Sequence, residues 1–406
     1  MVGFGVDEAV AHIVEQCLVP GEPGTVGVEL EWLVEDRADP AAAVDPARLR
    51  RLRAASGRVT VEPGGQLELS SAPAPSLGAC VAETGSALRQ LRADLAADGL
   101  AIVGSGTEPR RPARRRVDEP RYVAMEEYFD RTGPAGRAMM CGTASVQVNL
   151  DAGRAGDVAR RWRLAHAIGP VLVAAFANSA WFQGRPTGYK STRQAGWQGL
   201  DAARTAAPVG DDPRLAWARY ALDAPVLCVR GAQAPWLVPE RLTFRHWLSG
   251  GGPRPARADD LDYHLTTLFP PVRPRRWLEL RMIDAQPNDG WIVPLAVTTA
   301  LIEDARAADL AFAATECLGG DAWSRAARLG PDDAELRRVS LRCFEAALAA
   351  LPRLGAPTEV RQAVDHFADR YLSVGRCPAD DQLASSGRHR NDEHAAADPV
   401  LQEVNP

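Results

Sequence analysis

Lysine is nearly missing from this chain. Lys190 is the only one among 47 basic residues, and the others are arginines. With the abundance of alanine, this reads as the coding bias of a GC-rich genome, so arginine content alone carries no functional signal. The seven cysteines are scattered over positions 17, 80, 141, 228, 317, 343 and 377, odd in number and without a CxxC pair. That pattern argues against a disulfide framework or a zinc site and for a reducing cytosol. An excess of positive charge is lacking too. The net charge of −5 gives no global basic field for nucleic acid or anionic membranes. The longest apolar stretch, near residues 168–177, is too short to cross a bilayer. Asp7, Glu8, His12 and Glu15 stand where a signal peptide would need a basic start and an apolar run. The expectation is a cytoplasmic protein with no nucleic-acid or membrane partner; oligomeric state is not legible.

What is present is an ordinary globular composition, 46% hydrophobic and 24% charged over 406 residues, enough for a large core. The informative stretches are short alternating strands. In Val26-Gly27-Val28-Glu29-Leu30-Glu31-Trp32 the aliphatics point one way and both carboxylates the other. Two such charges about 7 Å apart repel by roughly 2 kcal/mol at an effective dielectric near 20, so inside a cleft they call for a cation. Residues 58–71 form two alternating runs around Pro63-Gly64-Gly65, a hairpin signal. Glu62 closes the first run, and Gln66, Glu68 and Ser70 share one face of the second. At 144–151, Gln147, Asn149 and Asp151 face away from Val146, Val148 and Leu150. At 276–284, Glu279 and Arg281 share a face backed by Leu278 and Leu280.

The remaining chain reads as connecting and supporting structure. Helices are expected at 7–18, at 46–55 as a basic surface element, at 76–98 with Gly99 as its stop, at 154–181 as one long buried helix, and at 213–222 and 259–268. Strands are expected at 100–103 and 226–229. Five arginines among prolines at 110–116 read as a solvated loop. The loop at 184–204 carries Lys190, Arg193, Trp197, Asp201 and Arg204 and suits either anion binding or a plain surface role. The whole is expected to be a single catalytic domain over 1–377, sheet-rich at 22–285 and helical at 291–372. A disordered tail is expected over 378–406, whose histidines lack a ligand-like spacing.

Four strand regions thus place polar groups on one face and aliphatics on the other, as an antiparallel sheet does when one face packs on helices and the other walls a cleft. Glu29, Glu31, Glu62, Glu68 and Glu279 with Gln147 make a hard oxygen environment suited to Mg²⁺ or Mn²⁺. Arg281 beside Glu279 is placed to meet a phosphoryl oxygen. The residues alone lead to a metal–nucleotide enzyme on a curved antiparallel sheet.

Several strings resemble the glutamate–cysteine ligase family of plant and bacterial type. They are 26–32, the run from Val61 through Glu62-Pro63-Gly64-Gly65-Gln66-Leu67-Glu68-Leu69-Ser70 to Pro73, Arg121-Tyr122, 141–151, Trp197 with Asp201 and Arg204-Thr205, and 277–281. The resemblance implies an α+β, glutamine-synthetase-like catalytic fold: a curved antiparallel sheet forming a funnel, helices outside. It implies ATP-dependent joining of the L-glutamate γ-carboxylate to the L-cysteine amine through γ-glutamyl phosphate, giving γ-glutamylcysteine, ADP and phosphate. It further implies two or three Mg²⁺ ions surrounded by Glu29, Glu31, Glu62, Glu68, Gln147 and Glu279. Arg281 becomes the catalytic contact to the transferred phosphoryl group. Arg193, Arg204, Lys190 and Asn149 become candidates for phosphate or substrate contacts. The actinobacterial-looking composition points to the branch serving ergothioneine biosynthesis. The alternatives are a carboxylate–amine ligase with another acceptor amine, a guanidino kinase sharing the broad fold, and a non-catalytic nucleotide- or metal-binding regulator.

Overall fold

A computed structural model describes residues 4–208 and 210–387. Its centre is strand β1 (Val26–Asp36), eleven residues whose Val26, Val28, Leu30 and Trp32 are buried while Glu29 and Glu31 alternate to the other face. Strands β2 (Arg58–Val61) and β3 (Leu67–Ser70) form the hairpin foreseen around Pro63-Gly64-Gly65. Gly65 takes a φ of +91°, and a side chain on Gly64 would sit 2.1 Å from the Cys141 carbonyl oxygen, so both positions of the turn require glycine. Strand β4 (Leu100–Val103) pairs with the far end of β1, and β5 (Ser145–Leu150) with its near end. A two-residue pair, β6 (Trp181–Phe182) and β7 (Arg185–Pro186), stands apart. Strands β8 (Val272–Pro274) and β9 (Leu278–Asp284) complete an antiparallel sheet of order β2-β3-β1-β5-β9-β8, with β4 attached to β1.

The register brings the polar positions together. Glu31 lies opposite Glu68, and Glu29 lies opposite both Ser70 and Gln147. Between Val146 and Val148 the pairing slips, so that β9 advances from Leu280 to Ile283 while β5 advances two residues. Such a bulge re-aims side chains locally, and Arg281 lies within it. The aliphatic face of the sheet packs on helices. Val28, Leu30, Val148 and Leu280 share one core with Leu88 and Leu91 of helix Leu77–Ala97, Leu172 of Gly169–Phe176 and Leu295 of Ile292–Glu303. Helix Leu77–Ala97 begins where the Ser76 hydroxyl accepts the Ala79 N–H at 3.2 Å and stops before Gly99, as expected.

Four expectations need correction. The long helix over 154–181 is two helices, Val158–Ala167 and Gly169–Phe176. Pro170 opens the second, where its missing N–H costs nothing, and any side chain on Gly169 would run into the Trp323 ring at 2.1 Å. The helix over 46–55 lasts only through Pro46–Leu49; within 46–55 only Leu49 and Leu52 are buried outright, too small an apolar face to hold three turns. Residues 226–229 form no strand: Pro225 and Val229 make isolated bridges to Thr243 and Leu237, and Pro235 and Pro239 interrupt the partner segment. The tail expected over 378–406 begins with a helix, Pro378–Gly387. Ala379 N–H donates to the Ala177 carbonyl at 2.9 Å, and Gln382 Nε2 donates to the Asn178 carbonyl at 2.9 Å. The rest of that expectation, 388–406, lies outside the described residues.

Candidate active site

The polar face of the sheet walls a cavity of about 410 Å³. Glu29 and Glu31 reach it from β1, Thr60 from β2, Glu62 and Gln66 from the hairpin turn, and Glu68 and Ser70 from β3. Gln147, Arg273 and Arg281 enter from β5, β8 and β9, and helix Thr192–Gln198 contributes Arg193 and Trp197. One side is therefore acidic and the other basic.

On the acidic side, burial lifts the Glu29 carboxyl to about 7, with Glu279 and Glu68 adding to the rise. Burial, then the charges of Glu68 and Glu31, lift Glu62 to about 8. Glu31 and Glu68 are raised as well, first by burial. Hydrogen bonds orient them. Ser145 Oγ and Gln147 Nε2 donate to Glu31 at 2.9 and 2.8 Å, while Thr60 and Ser70 hydroxyls donate to Glu68 at 3.0 and 2.9 Å. Among the described residues no three His, Cys, Asp or Glu side chains are gathered closely enough to hold a metal ion as they stand. Four carboxylates with raised pKa values in one cavity nevertheless match a divalent cation in charge and in donor chemistry, since hard oxygen donors suit Mg²⁺.

Protonation of these groups couples to stability. Folded Glu29 and Glu62 keep protons that the unfolded chain releases near the ordinary value of 4.5. The folded state then binds more protons between pH 4.5 and about 8, so stability falls as pH rises through that window. Their contribution is complete below pH 4.5 and lost above about pH 8. In cation-free protein, Tm measured by scanning fluorimetry should fall across this window, and added Mg²⁺ should restore it at the alkaline end. A flat Tm, or one indifferent to Mg²⁺, would remove the carboxylates from a cation site.

On the basic side, Glu279 is 1% exposed and surrounded by guanidinium groups. Arg273 Nε and Arg275 Nε donate to it at 3.2 and 3.1 Å, and Arg281 Nη1 also binds it. Burial opposes its charge, but Arg273, Arg281 and Arg275 outweigh that and hold the carboxyl well below the usual range. Arg281 reaches Gln147 Oε1 as well. Glu279 thus sits with the arginines, whereas the resemblance groups it with metal ligands. The arginine pair was missed in the sequence, although Arg273 and Arg275 share a face of β8 and its extension, and Arg273 lies opposite Glu279 in register.

Arg193 is 3% exposed; its Nη2 donates to the Arg281 carbonyl at 2.9 Å and its guanidinium lies 4.9 Å from the Trp197 ring centre. The other candidates lie off the cavity. Arg204 is fully buried. Its Nη1 donates to the Thr267 carbonyl at 2.6 Å, its Nη2 binds the Pro225 carbonyl, and it stacks over Tyr128 at 4.7 Å. Lys190 pairs with Asp380 and, at 3.2 Å, Asp332. Asn149 supports Glu29 from the side, donating at 3.2 Å, and accepts from Trp277 Nε1 at 2.9 Å. Arg121 and Tyr122 line the cavity opposite; Arg121 is held by two bonds to Thr266, at 2.8 and 2.9 Å. Arg204→Met should cost about 3 kcal/mol of stability, because it strands buried carbonyl groups, while KM for each substrate stays within about twofold. Denaturation and steady-state kinetics on the one variant check both halves.

An antiparallel sheet with a helical core on one face and a carboxylate- and arginine-lined cavity on the other is the arrangement expected of a glutamine-synthetase-like fold. The chain belongs to glutamate-cysteine ligase family 2, whose family model matches residues 25–400. It is similar to glutamate–cysteine ligase EgtA of Mycolicibacterium smegmatis, 42% identical over 93% of this chain and 94% of the relative. The EgtA protein of Mycobacterium tuberculosis is 40% identical over 92% and 88%. The chloroplastic glutamate–cysteine ligase of Arabidopsis thaliana is 36% identical over 56% and 46%. In fold it resembles a crystal structure of glutamate–cysteine ligase from Francisella tularensis in complex with AMP, with a TM-score of 0.54, 13% identity, and 95% and 92% of the two chains covered. No helix among the described residues is long and apolar enough to cross a membrane.

Proposed function

We propose that this chain is an ATP-dependent ligase that joins the γ-carboxylate of L-glutamate to the amine of L-cysteine, giving γ-glutamylcysteine, ADP and phosphate. The family match and the two EgtA relatives support the reaction. The observation that carries it is the division of one cavity into four carboxylates with raised pKa values and a facing set of arginines. Two anions, the glutamate carboxylate and the ATP triphosphate, have to meet there, and neither would enter an acidic cavity without compensation. Glu29, Glu31, Glu62 and Glu68 are the residues that would hold Mg²⁺, which when bound neutralises phosphate charge and offsets the repulsion among the carboxylates; the Gln147 amide oxygen, grouped with them by the resemblance, accepts from Arg281 instead.

The chain's own groups do the rest. Arg281, anchored by Glu279 and Gln147, presents a planar donor fork to the phosphoryl group as the carboxylate oxygen attacks and ADP departs. Arg193 carries positive charge beside it. The cysteine amine, once deprotonated, attacks the acyl carbon of γ-glutamyl phosphate; the C–N bond forms, the C–O bond to phosphate breaks, and phosphate leaves. The enclosing wall of Met125, Met139, Met140 and Phe269 limits water at the acyl phosphate. The chain's cysteines take no part: six of the seven are buried. In this reading the product feeds ergothioneine biosynthesis, which the composition and the EgtA relatives support.

The acceptor is tested by supplying Mg²⁺-ATP and glutamate with a panel of amines and identifying products by mass spectrometry. Cysteine should give the highest kcat/KM. A larger value for an amino acid without a thiol would keep the chemistry and replace the acceptor.

A further inference from the structure

Asp284 closes β9, three residues beyond Arg281, and is 2% exposed without lining the cavity. A buried carboxylate is costly unless its oxygens are met by donors, and here they are met fully. Oδ2 accepts the Ser179 hydroxyl at 2.6 Å and the Asn178 N–H at 2.9 Å. Oδ1 accepts the Ser191 hydroxyl at 3.0 Å and stands 4.0 Å from Arg193 Nη1.

These donors belong to two stretches of chain that Asp284 ties together. Ser179 N–H donates to the Lys190 carbonyl at 3.0 Å, and Thr192 N–H donates to the Ser179 carbonyl at 3.1 Å. The Ser191 hydroxyl that donates to Asp284 also accepts the Gln194 N–H at 3.2 Å, capping helix Thr192–Gln198. The Ser179 hydroxyl that donates to Asp284 also accepts the Arg193 N–H at 3.2 Å. Both hydroxyls are therefore oriented by the carboxylate and in turn fix the first turn of the helix that carries Arg193. The Arg193 guanidinium then lies in the cavity wall on the Arg281 carbonyl, with its buried Nε making no hydrogen bond among the described residues.

We propose that Asp284 is a positioning residue: through Ser179, Ser191 and its own charge it holds the Arg193 guanidinium in place to receive anionic oxygens of a substrate. This rests on the cavity being the ligase site. The oxygens are those of the glutamate carboxylate or of the ATP phosphates, and Asp284 itself touches neither.

The test is a double-mutant cycle of Asp284→Asn and Arg193→Ala in the full chain, read as KM and kcat for glutamate, ATP and cysteine. Asp284→Asn should raise KM for one anionic substrate by about 10-fold and leave the other two within about twofold. On the Arg193→Ala background the same change should add less than about twofold, because groups acting through one contact are not additive. Which KM moves distinguishes carboxylate from phosphate. Additive effects, or a uniform fall in kcat with every KM unchanged, would overturn the proposal. Ser191→Ala removes one donor and is the milder variant should Asp284→Asn fail to fold. It should raise the same KM by about threefold, and an unchanged KM would count equally against the proposal. Dissociation constants for ATP and for glutamate, measured by calorimetry on the same proteins, separate the two failures. An unaltered protein that binds but does not turn over contradicts the ligase reading, whereas additive dissociation constants contradict the role of Asp284.

Discussion

Arg281→Lys should slow turnover about 100- to 1000-fold, the range for removing one preorganised contact to developing charge, with an unchanged Tm in the presence of Mg²⁺. The guanidinium is held at two points, by Glu279 and by Gln147, so its orientation is set before substrate arrives. Both contacts are made by Nη1, which leaves Nε and Nη2 as donors for a phosphoryl oxygen; lysine keeps the charge, but its single nitrogen on a flexible stem has no such planar fork to offer once it meets those partners. The Glu279 charge would remain compensated by Arg273 and Arg275, which is why the fold should survive. Single-turnover kinetics place the loss in phosphoryl transfer. A variant that turns over as fast as the unaltered protein would exclude an essential phosphoryl contact.

Glu68→Ala should abolish Mg²⁺-dependent turnover, slowing it by about 1000-fold or more, on the order of a lost catalytic centre. Its effect on the cation-free protein should have the opposite sign. Glu68 lies opposite Glu31 in register and raises the pKa of Glu62. Removing it relieves repulsion at the cost of the Thr60 and Ser70 hydrogen bonds. The cation-free Tm should therefore be equal or higher, while the Tm gain from Mg²⁺ shrinks. Glu68→Gln keeps the shape and loses the charge, and it should fail in the same way. Near-normal activity in either variant would remove Glu68 from the site.

Much of this arrangement was legible because strand alternation and turn chemistry are local. Glu29 and Glu31 on one face of a strand, a glycine turn after Glu62, and Glu68 two residues past Gln66 need only a period of two. Which strand lay beside which was not local, and the opposition of Glu31 to Glu68 appeared only with the register. Arg204 and Lys190 looked like Arg193 in sequence, polar groups in one glycine-bearing loop. Their destinations depend on Thr267, Pro225, Asp332 and Asp380, which are remote in the chain. Helix Pro378–Gly387 carries too little apolar surface to announce itself, being anchored by Gln382 and by the Lys190 ion pair. The bulge at Arg281 has no sequence signal at all, since it arises from a pairing slip between β5 and β9.

The central claim is that this cavity activates a carboxylate by phosphoryl transfer. Glutamate labelled with heavy oxygen in its γ-carboxylate tests it most directly, by mass analysis of the phosphate released from Mg²⁺-ATP in the presence of cysteine. The expected result is one labelled oxygen in each phosphate, with ADP and γ-glutamylcysteine formed in equal amounts. Label in AMP with release of pyrophosphate, or unlabelled phosphate formed without any peptide product, would contradict the account.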